Sequence, residues 1–219
     1  MSSFTFADRN EAGRALAREL SHYADRSDVV VLALPRGGLP IGFEIARALR
    51  APLDVFLVRK LGVPGYEELA MGAIASGGTR VVSEQLVENL HISAEQIEEV
   101  AEFEGRELER RERAFRRGQP PVLVTDRICI LVDDGLATGS TMRAAVMALK
   151  KQNPKHIIVA VPVAAAETCA EFQSLVDELV CLYTPEPFMA VGRWYDDFAQ
   201  LSDEEVRDYL DRAAHEMAH

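Results

Sequence analysis

Ile130-Leu131-Val132-Asp133-Asp134-Gly135-Leu136-Ala137-Thr138-Gly139-Ser140-Thr141 is the stretch on which the reading of this chain turns. A buried-type apolar run ends in two adjacent carboxylates, a loop of small and hydroxyl residues follows, and residues 142–149 carry an amphipathic helical pattern. Gly135 and Gly139 let backbone amides turn toward an anion. Thr138, Ser140 and Thr141 add hydroxyl donors, and the following helix presents its positive end. The spacing and lysine of a Walker loop are missing, so the loop suits a monophosphate held by amides and hydroxyls. Acids alone would repel a phosphate, and a phosphate loop alone would have no use for acids. The combination suits a sugar phosphate whose hydroxyls donate to Asp133 and Asp134.

Outward from this stretch, residues 29–34, 53–58, 128–132, 156–161 and 178–183 read as strands. Helical patterns over 39–49, 140–151 and 165–175 separate most of them, and Asp8 can cap a further helix reaching about residue 21. This alternation predicts an α/β fold, an open, mostly parallel sheet flanked by helices. Ligands of such sheets collect beyond the carboxyl ends of the strands. Three strands end in chemically loaded loops: Pro35-Arg36-Gly37-Gly38 after the first, Arg59-Lys60 after the second, and residues 133–141 after the third.

The remaining segments read as additions to a single domain over residues 1–219. Residues 71–75 and 80–82 can pair as short antiparallel strands. The glycine-rich piece between Lys60 and Met71 has little to pack and reads as mobile, with residues 62–69 a natural lid. A long helical insertion spans about 84–118. Its capping box is Ser93 with Gln96, its first half is acidic and its second half rich in arginine. Glu102–Arg106, Glu109–Arg113 and Glu112–Arg116 stand at helical i,i+4 spacing, which reads as a solvated face, with a dimer contact or an arginine donated to a neighbouring site as the alternative. Residues 183–219 form a small C-terminal hood, a loop rich in proline and aromatics followed by a helix with a capping box at Ser202–Glu205.

Net charge is −11. An acidic surface disfavours nucleic acid and anionic membranes, because such partners need a basic face, so an anionic ligand must be held by local features. No apolar run approaches the ~18 residues of a membrane span. The first eight residues lack a basic start and an apolar core, which predicts a cytoplasmic protein. Cys129, Cys169 and Cys181 form no CxxC pair and read as buried thiols. The histidines, His219 in the C-terminal tail among them, form no metal cluster by spacing. A dinucleotide-binding reading through Gly37-Gly38 and Gly42 fails on the GxGxxG spacing and ignores the paired acids.

Residues 130–141 resemble the phosphoribosyl-pyrophosphate (PRPP) motif of the type I phosphoribosyltransferases: an apolar strand, two acids, then a loop ending Thr-Gly-x-Thr. Residues 35–38 and 59–60 fall where that family has its pyrophosphate loop and a basic strand end. The overall pattern resembles a bacterial branch of the family. The resemblance implies that Ala137, Thr138, Gly139, Ser140 and Thr141, with Gly135, cradle the 5-phosphate, and that Asp133 and Asp134 hold the ribose hydroxyls. It implies that Pro35, Arg36, Gly37, Gly38, Arg59 and Lys60 meet the pyrophosphate. Arg36, Lys60, Asp133 and Asp134 would then be the catalytic set, with Mg²⁺ carried by PRPP rather than by a protein cage. The implied activity is phosphoribosyl transfer to a nitrogenous, aromatic acceptor in nucleotide metabolism, with pyrophosphate released. A PRPP-binding regulator of the same fold is the alternative. Phe188, Trp194 and Tyr195 fall where the family places its acceptor, and a homodimer fits its habits. Hypoxanthine and guanine enzymes carry an aspartate where this chain has Ala137, which points away from 6-oxopurines.

Overall fold

The computed structural model describes residues 4–217. The expectations drawn from the first three residues and from His219 lie outside them. The chain runs through α1 (Arg9–Glu19), β1 (Val29–Ala33), α2 (Gly38–Leu49) and β2 (Leu53–Val55). It then builds a small antiparallel sheet, β3 (Val58–Val63), β4 (Tyr66–Ala75) and β5 (Thr79–Val82), followed by α3 (Glu84–Asn89) and α4 (Ala94–Arg116). It continues as β6 (Ile128–Val132), α5 (Ser140–Lys150), β7 (His156–Val163), α6 (Ala166–Leu175), β8 (Glu178–Tyr183) and α7 (Asp203–Met217).

The main sheet has the order β2-β1-β6-β7-β8, with every pairing parallel. All five residues of β1 and all five of β6 are buried, so neither strand keeps a polar face. Val30, Leu32, Cys129 and Leu131 join the cluster that includes Met142 and Phe172, under α5 and α6. Val29, Val31, Ile128 and Ile130 point the other way, into the cluster with Leu16, Ile41 and Ile45 of α1 and α2. This two-sided burial makes the strands continuous apolar runs rather than alternating ones. The chain adds β2 on one side of β1 and β6 on the other, so the order reverses between β1 and β6. That reversal opens the crevice where α/β sheets take their ligands. Residues 35–38 and 133–141 both leave the sheet there.

Three expectations are corrected. The second strand does not run to residue 58. Its pairing with β1 ends near Phe56, whose amide donates to Ala33 O (2.9 Å), and Ser76 N then donates to Leu57 O (2.9 Å). Arg59 and Lys60 therefore lie inside β3 of the antiparallel sheet, not at the end of a parallel strand. The glycine-rich piece after Lys60 does pack: β3 and β4 form a hairpin whose Leu61, Val63 and Met71 are buried against Ala101 of α4. Finally, Arg116 is not on a solvated face. Its Nε donates to Asp54 (3.0 Å) and its Nη2 to Val55 O (2.7 Å), while Asp54 also accepts from Val122 N (2.9 Å). The pair anchors the end of α4 to β2, and removing one partner would leave a buried charge costing about 3–5 kcal/mol. All three spaced pairs form: Arg116 Nη1 also meets Glu112 (2.7 Å), while Glu102–Arg106 and Glu109–Arg113 form on exposed turns. Cys129, Cys169 and Cys181 are free thiols. No helix among the described residues is long and apolar enough to cross a membrane.

Candidate functional site

Asp133 and Asp134 stand at the carboxyl end of β6, where the strand leaves the sheet. Burial, then the neighbouring Asp134 charge, pushes the Asp133 carboxyl well above the usual carboxylate range. Burial also raises Asp134, against the opposing pull of Arg9. Arg9 is the first residue of α1, and both its Nε and its Nη2 lie 3.0 Å from Asp134 Oδ2. It is fixed in turn by Ala199 O (2.9 Å) and by the Phe198 ring, 3.9 Å from its guanidinium carbon. Sequence reading missed Arg9, which lies 125 positions from its partner.

The neighbouring loop is shaped around these acids. A Cβ on Gly37 would sit 2.0 Å from Asp134 Oδ2, and one on Gly38 would sit 2.5 Å from Val132 O. Only glycine lets the first loop lie this close to the second. The Pro35-Arg36 peptide bond is cis. The amides of Arg36 and Gly37 find no partner among the described residues. The same holds for the amides of Ala137, Thr138, Gly139 and Thr141, ahead of α5, whose N-terminus has no side-chain cap. Gly139 has φ +67°, and a Cβ there would meet Phe172 at 2.6 Å and Thr168 at 2.8 Å. Thr168 Oγ1 donates to Ala137 O (2.7 Å), so α6 braces the loop from behind. Unpartnered amides in a rigid turn at a helix start form a concavity that prefers an anion.

A cleft of about 1000 Å³ opens beside this loop, between the hairpin, α4 and the strand ends. It is lined by Pro35, Arg59, Lys60 and Thr141, so three of the expected segments converge on it. The basic residues are not equally available. Arg59 Nε is 2.6 Å from Glu104 of α4. Arg36 is held by Leu201 O (3.1 Å) and by Asp203 (2.9 Å) at the start of α7. Lys60 has no ion-pair partner among the described residues. Two arginines of the inserted helix, Arg106 and Arg111, also line the cleft. Arg111 further lines a small adjoining cavity with Pro35, Arg36 and Arg110. The arginine-rich half of the helix was legible; its direction toward this site was not.

The hood aromatics stand elsewhere. Phe188 and Trp194 are half-buried, and Tyr195 is 5% exposed, all against the cluster under α1 and α2. Tyr195 Oη donates to Asp134 O (2.6 Å), and burial raises its pKa. None of the three lines the cleft. The loop they form supports the acids from behind: a Cβ on Gly135 would meet Val191 at 2.7 Å. Tyr195 is packed into the core and Phe188 and Trp194 partly so, all three outside the cleft. Asp196 is tied to Thr5 and Asp197 to Ala199 N.

The acid pair also bears on a metal. No group of three or more potential ligands forms among the described residues. Two buried carboxylates beside an anion loop fit Mg²⁺, which keeps most of its water and takes the rest of its shell from substrate oxygens.

Comparison with known proteins agrees with this geometry. The model of the phosphoribosyl transferase domain matches residues 7–184. Two Mycobacterium tuberculosis proteins, of strains CDC 1551 and H37Rv, are each named "Putative phosphoribosyl transferase". Each is 46% identical to this chain over 213 residues, 97% of it and 48% of the relative. The chain thus spans about half the length of these curated relatives. The crystal structure of TT1426 from Thermus thermophilus superposes with a TM-score of 0.86 at 38% identity, covering 94% of this chain and 98% of that one. The open parallel sheet, the anion loop at its switch point and these similarities place the chain in the phosphoribosyl transferase domain family.

Proposed function

We propose that the protein transfers a phosphoribosyl group from PRPP, with Mg²⁺, to a nitrogen of a planar acceptor and releases pyrophosphate. The observation that carries this reading is the set of unpartnered amides of Ala137, Thr138, Gly139 and Thr141 directly beside two buried acids. The amides suit the 5-phosphate, and Asp133 and Asp134 suit the ribose hydroxyls. The raised carboxyls are poised to ionise when hydroxyl donors and a cation arrive. When bound, Mg²⁺ would neutralise charge on the diphosphate.

The diphosphate falls to the free amides of Arg36 and Gly37 on one side and to Lys60 and Arg111 on the other. The Arg36 guanidinium joins them once it leaves Asp203. In the reaction the acceptor nitrogen forms a bond to C1 while the bond from C1 to the diphosphate oxygen breaks. The leaving group takes the electron pair, and the acceptor's N–H proton is lost to water. The ribose gains positive character as that bond lengthens, so the cations must act on the departing oxygens.

A melting series with PRPP and Mg²⁺ tests the reading. Ligand that binds only the folded state raises Tm by mass action. Millimolar PRPP that leaves Tm unmoved would sink it. Binding without pyrophosphate release from any acceptor would assign the protein to regulation.

A further inference from the structure

We propose that the outer half of the cleft selects a planar acceptor carrying amino or ring N–H groups and no carboxylate. The inference rests on the donor reading above and adds the acceptor class that it leaves open. Its basis is the order of side chains along α4. The cleft-lining residues of that helix are Gln96, Glu99, Val100 and Phe103, then Glu104, Arg106 and Arg111. The basic end is anchored at the pyrophosphate loop, because Arg111 shares the small cavity with Pro35 and Arg36. At 1.5 Å of rise per residue, Phe103 stands about 12 Å and Glu99 about 18 Å further along the cleft wall. The helix thus spans the site from diphosphate toward acceptor.

Phe103 is 63% exposed, with its neighbours Val100 and Val63 on the same wall. An exposed ring beside an anion site is a platform for a planar partner. In the same lining, Glu67 of the hairpin and Glu99, one turn before Phe103 on α4, have no ion-pair partner among the described residues, whereas Glu104 is committed to Arg59. Gln96 Oε1 already accepts from Ser93 N. Ionised carboxylates only accept hydrogen bonds, so their complement is an N–H donor, neutral or cationic. A carboxylated ring would meet like charge at Glu67 and Glu99. Along α4 the first cation is Arg106, which lies on the diphosphate side of Phe103 and is loosely paired with Glu102 at 3.9 Å.

The test measures binding of two sets of rings to the protein saturated with PRPP and Mg²⁺, with pyrophosphate release as a second readout. One set is adenine, cytosine and aminopyridine; the other is orotate, nicotinate and quinolinate. An aminated ring should bind at least about ten-fold more tightly than every carboxylated one, since like charges in an interface are penalised heavily. Glu67→Gln with Glu99→Gln should narrow that gap. Phe103→Ala should weaken the aminated rings and leave PRPP affinity unchanged. A carboxylated ring that binds as tightly, or no ring of either class binding the loaded protein, would overturn the proposal. So would a Phe103→Ala variant that alters only the oligomeric state, which would make the ring part of an interface between copies. Failure of PRPP itself to bind would count against the donor reading instead.

Discussion

The two walls of the site are built in opposite ways. One is the pair of loops at the carboxyl ends of β1 and β6, where Gly37 nearly touches Asp134, Arg9 holds the same carboxylate and Thr168 braces Ala137. The other is the hairpin and α4, where Lys60, Phe103 and Arg106 stand at the surface and few side chains are fixed by more than one partner. A wall locked from several sides tolerates no displacement, whereas a wall of exposed side chains loses only what each one contributes. Substitutions should therefore cost much more on the first than on the second.

The largest effect is expected at Gly37. In Gly37→Ala the methyl would lie 2.0 Å from Asp134 Oδ2, and Arg9 leaves that oxygen nowhere to go. Misplacing a positioning group by about 1 Å can cost a hundred-fold, so PRPP affinity should fall by about that factor. The PRPP-induced Tm shift checks it. A variant that binds normally would show that the first wall is no tighter than the second.

Next comes Asp133→Asn, which separates function from stability. The folded protein holds the Asp133 proton above the pH at which the unfolded chain releases it. Stability therefore falls as pH rises from the usual carboxylate range, about pH 4, toward Asp133's raised value. Asparagine removes that dependence, so the ligand-free variant should be the more stable above this window, by about 1–3 kcal/mol. PRPP affinity should drop about ten-fold or more, the value of a hydrogen bond to a charged group. Melts across pH, with and without PRPP, measure both signs in one experiment. A wild type whose stability does not fall with pH would refute the raised carboxyl.

How much of each wall was legible follows the same division. Residues 130–141 are contiguous, so strand, acids and anion loop could be read together, and the fold followed from repeating that pattern along the chain. The partners that lock this wall were not legible, because Arg9 and Thr168 meet it only across the folded sheet. On the second wall the residue types were visible and their destinations were not. The run over 53–58 is apolar apart from Asp54, and its change of partner at Leu57 is set by Ser76, 19 positions away. Arg116 has the same local spacing as Arg113, yet one is buried on Asp54 and the other faces water. Helical periodicity places them on different faces without saying what covers each face.

Arg111 tests the second wall directly. Its guanidinium is half-exposed and shares Glu107 with Arg110. Arg111→Gln should weaken binding of Mg²⁺-pyrophosphate about ten-fold, consistent with one charge-assisted contact, and leave ribose 5-phosphate binding intact. Arg113→Gln, on an exposed turn outside the cleft, should change neither. Equal losses for both probes would mean that Arg111 supports the fold rather than the diphosphate.

The smallest effect joins the two walls. Arg36 belongs to the locked loop, but its side chain is held by Asp203 on the rim, with the two side chains 40% and 43% exposed. An ion pair this exposed is worth about 0.2–1 kcal/mol. In Asp203→Asn that competition disappears, and Mg²⁺-pyrophosphate should bind up to about five-fold more tightly. Asp203 is also an acid in the first turn of α7. A negative charge there favours the helix dipole, so the same variant should lose about a few tenths of a kcal/mol of stability. Tighter binding from a slightly weaker fold is an unusual combination, and calorimetry beside a denaturant melt would detect it. If binding instead weakens, Asp203 orients Arg36 for the diphosphate rather than withholding it, and the rim would then be part of the locked wall.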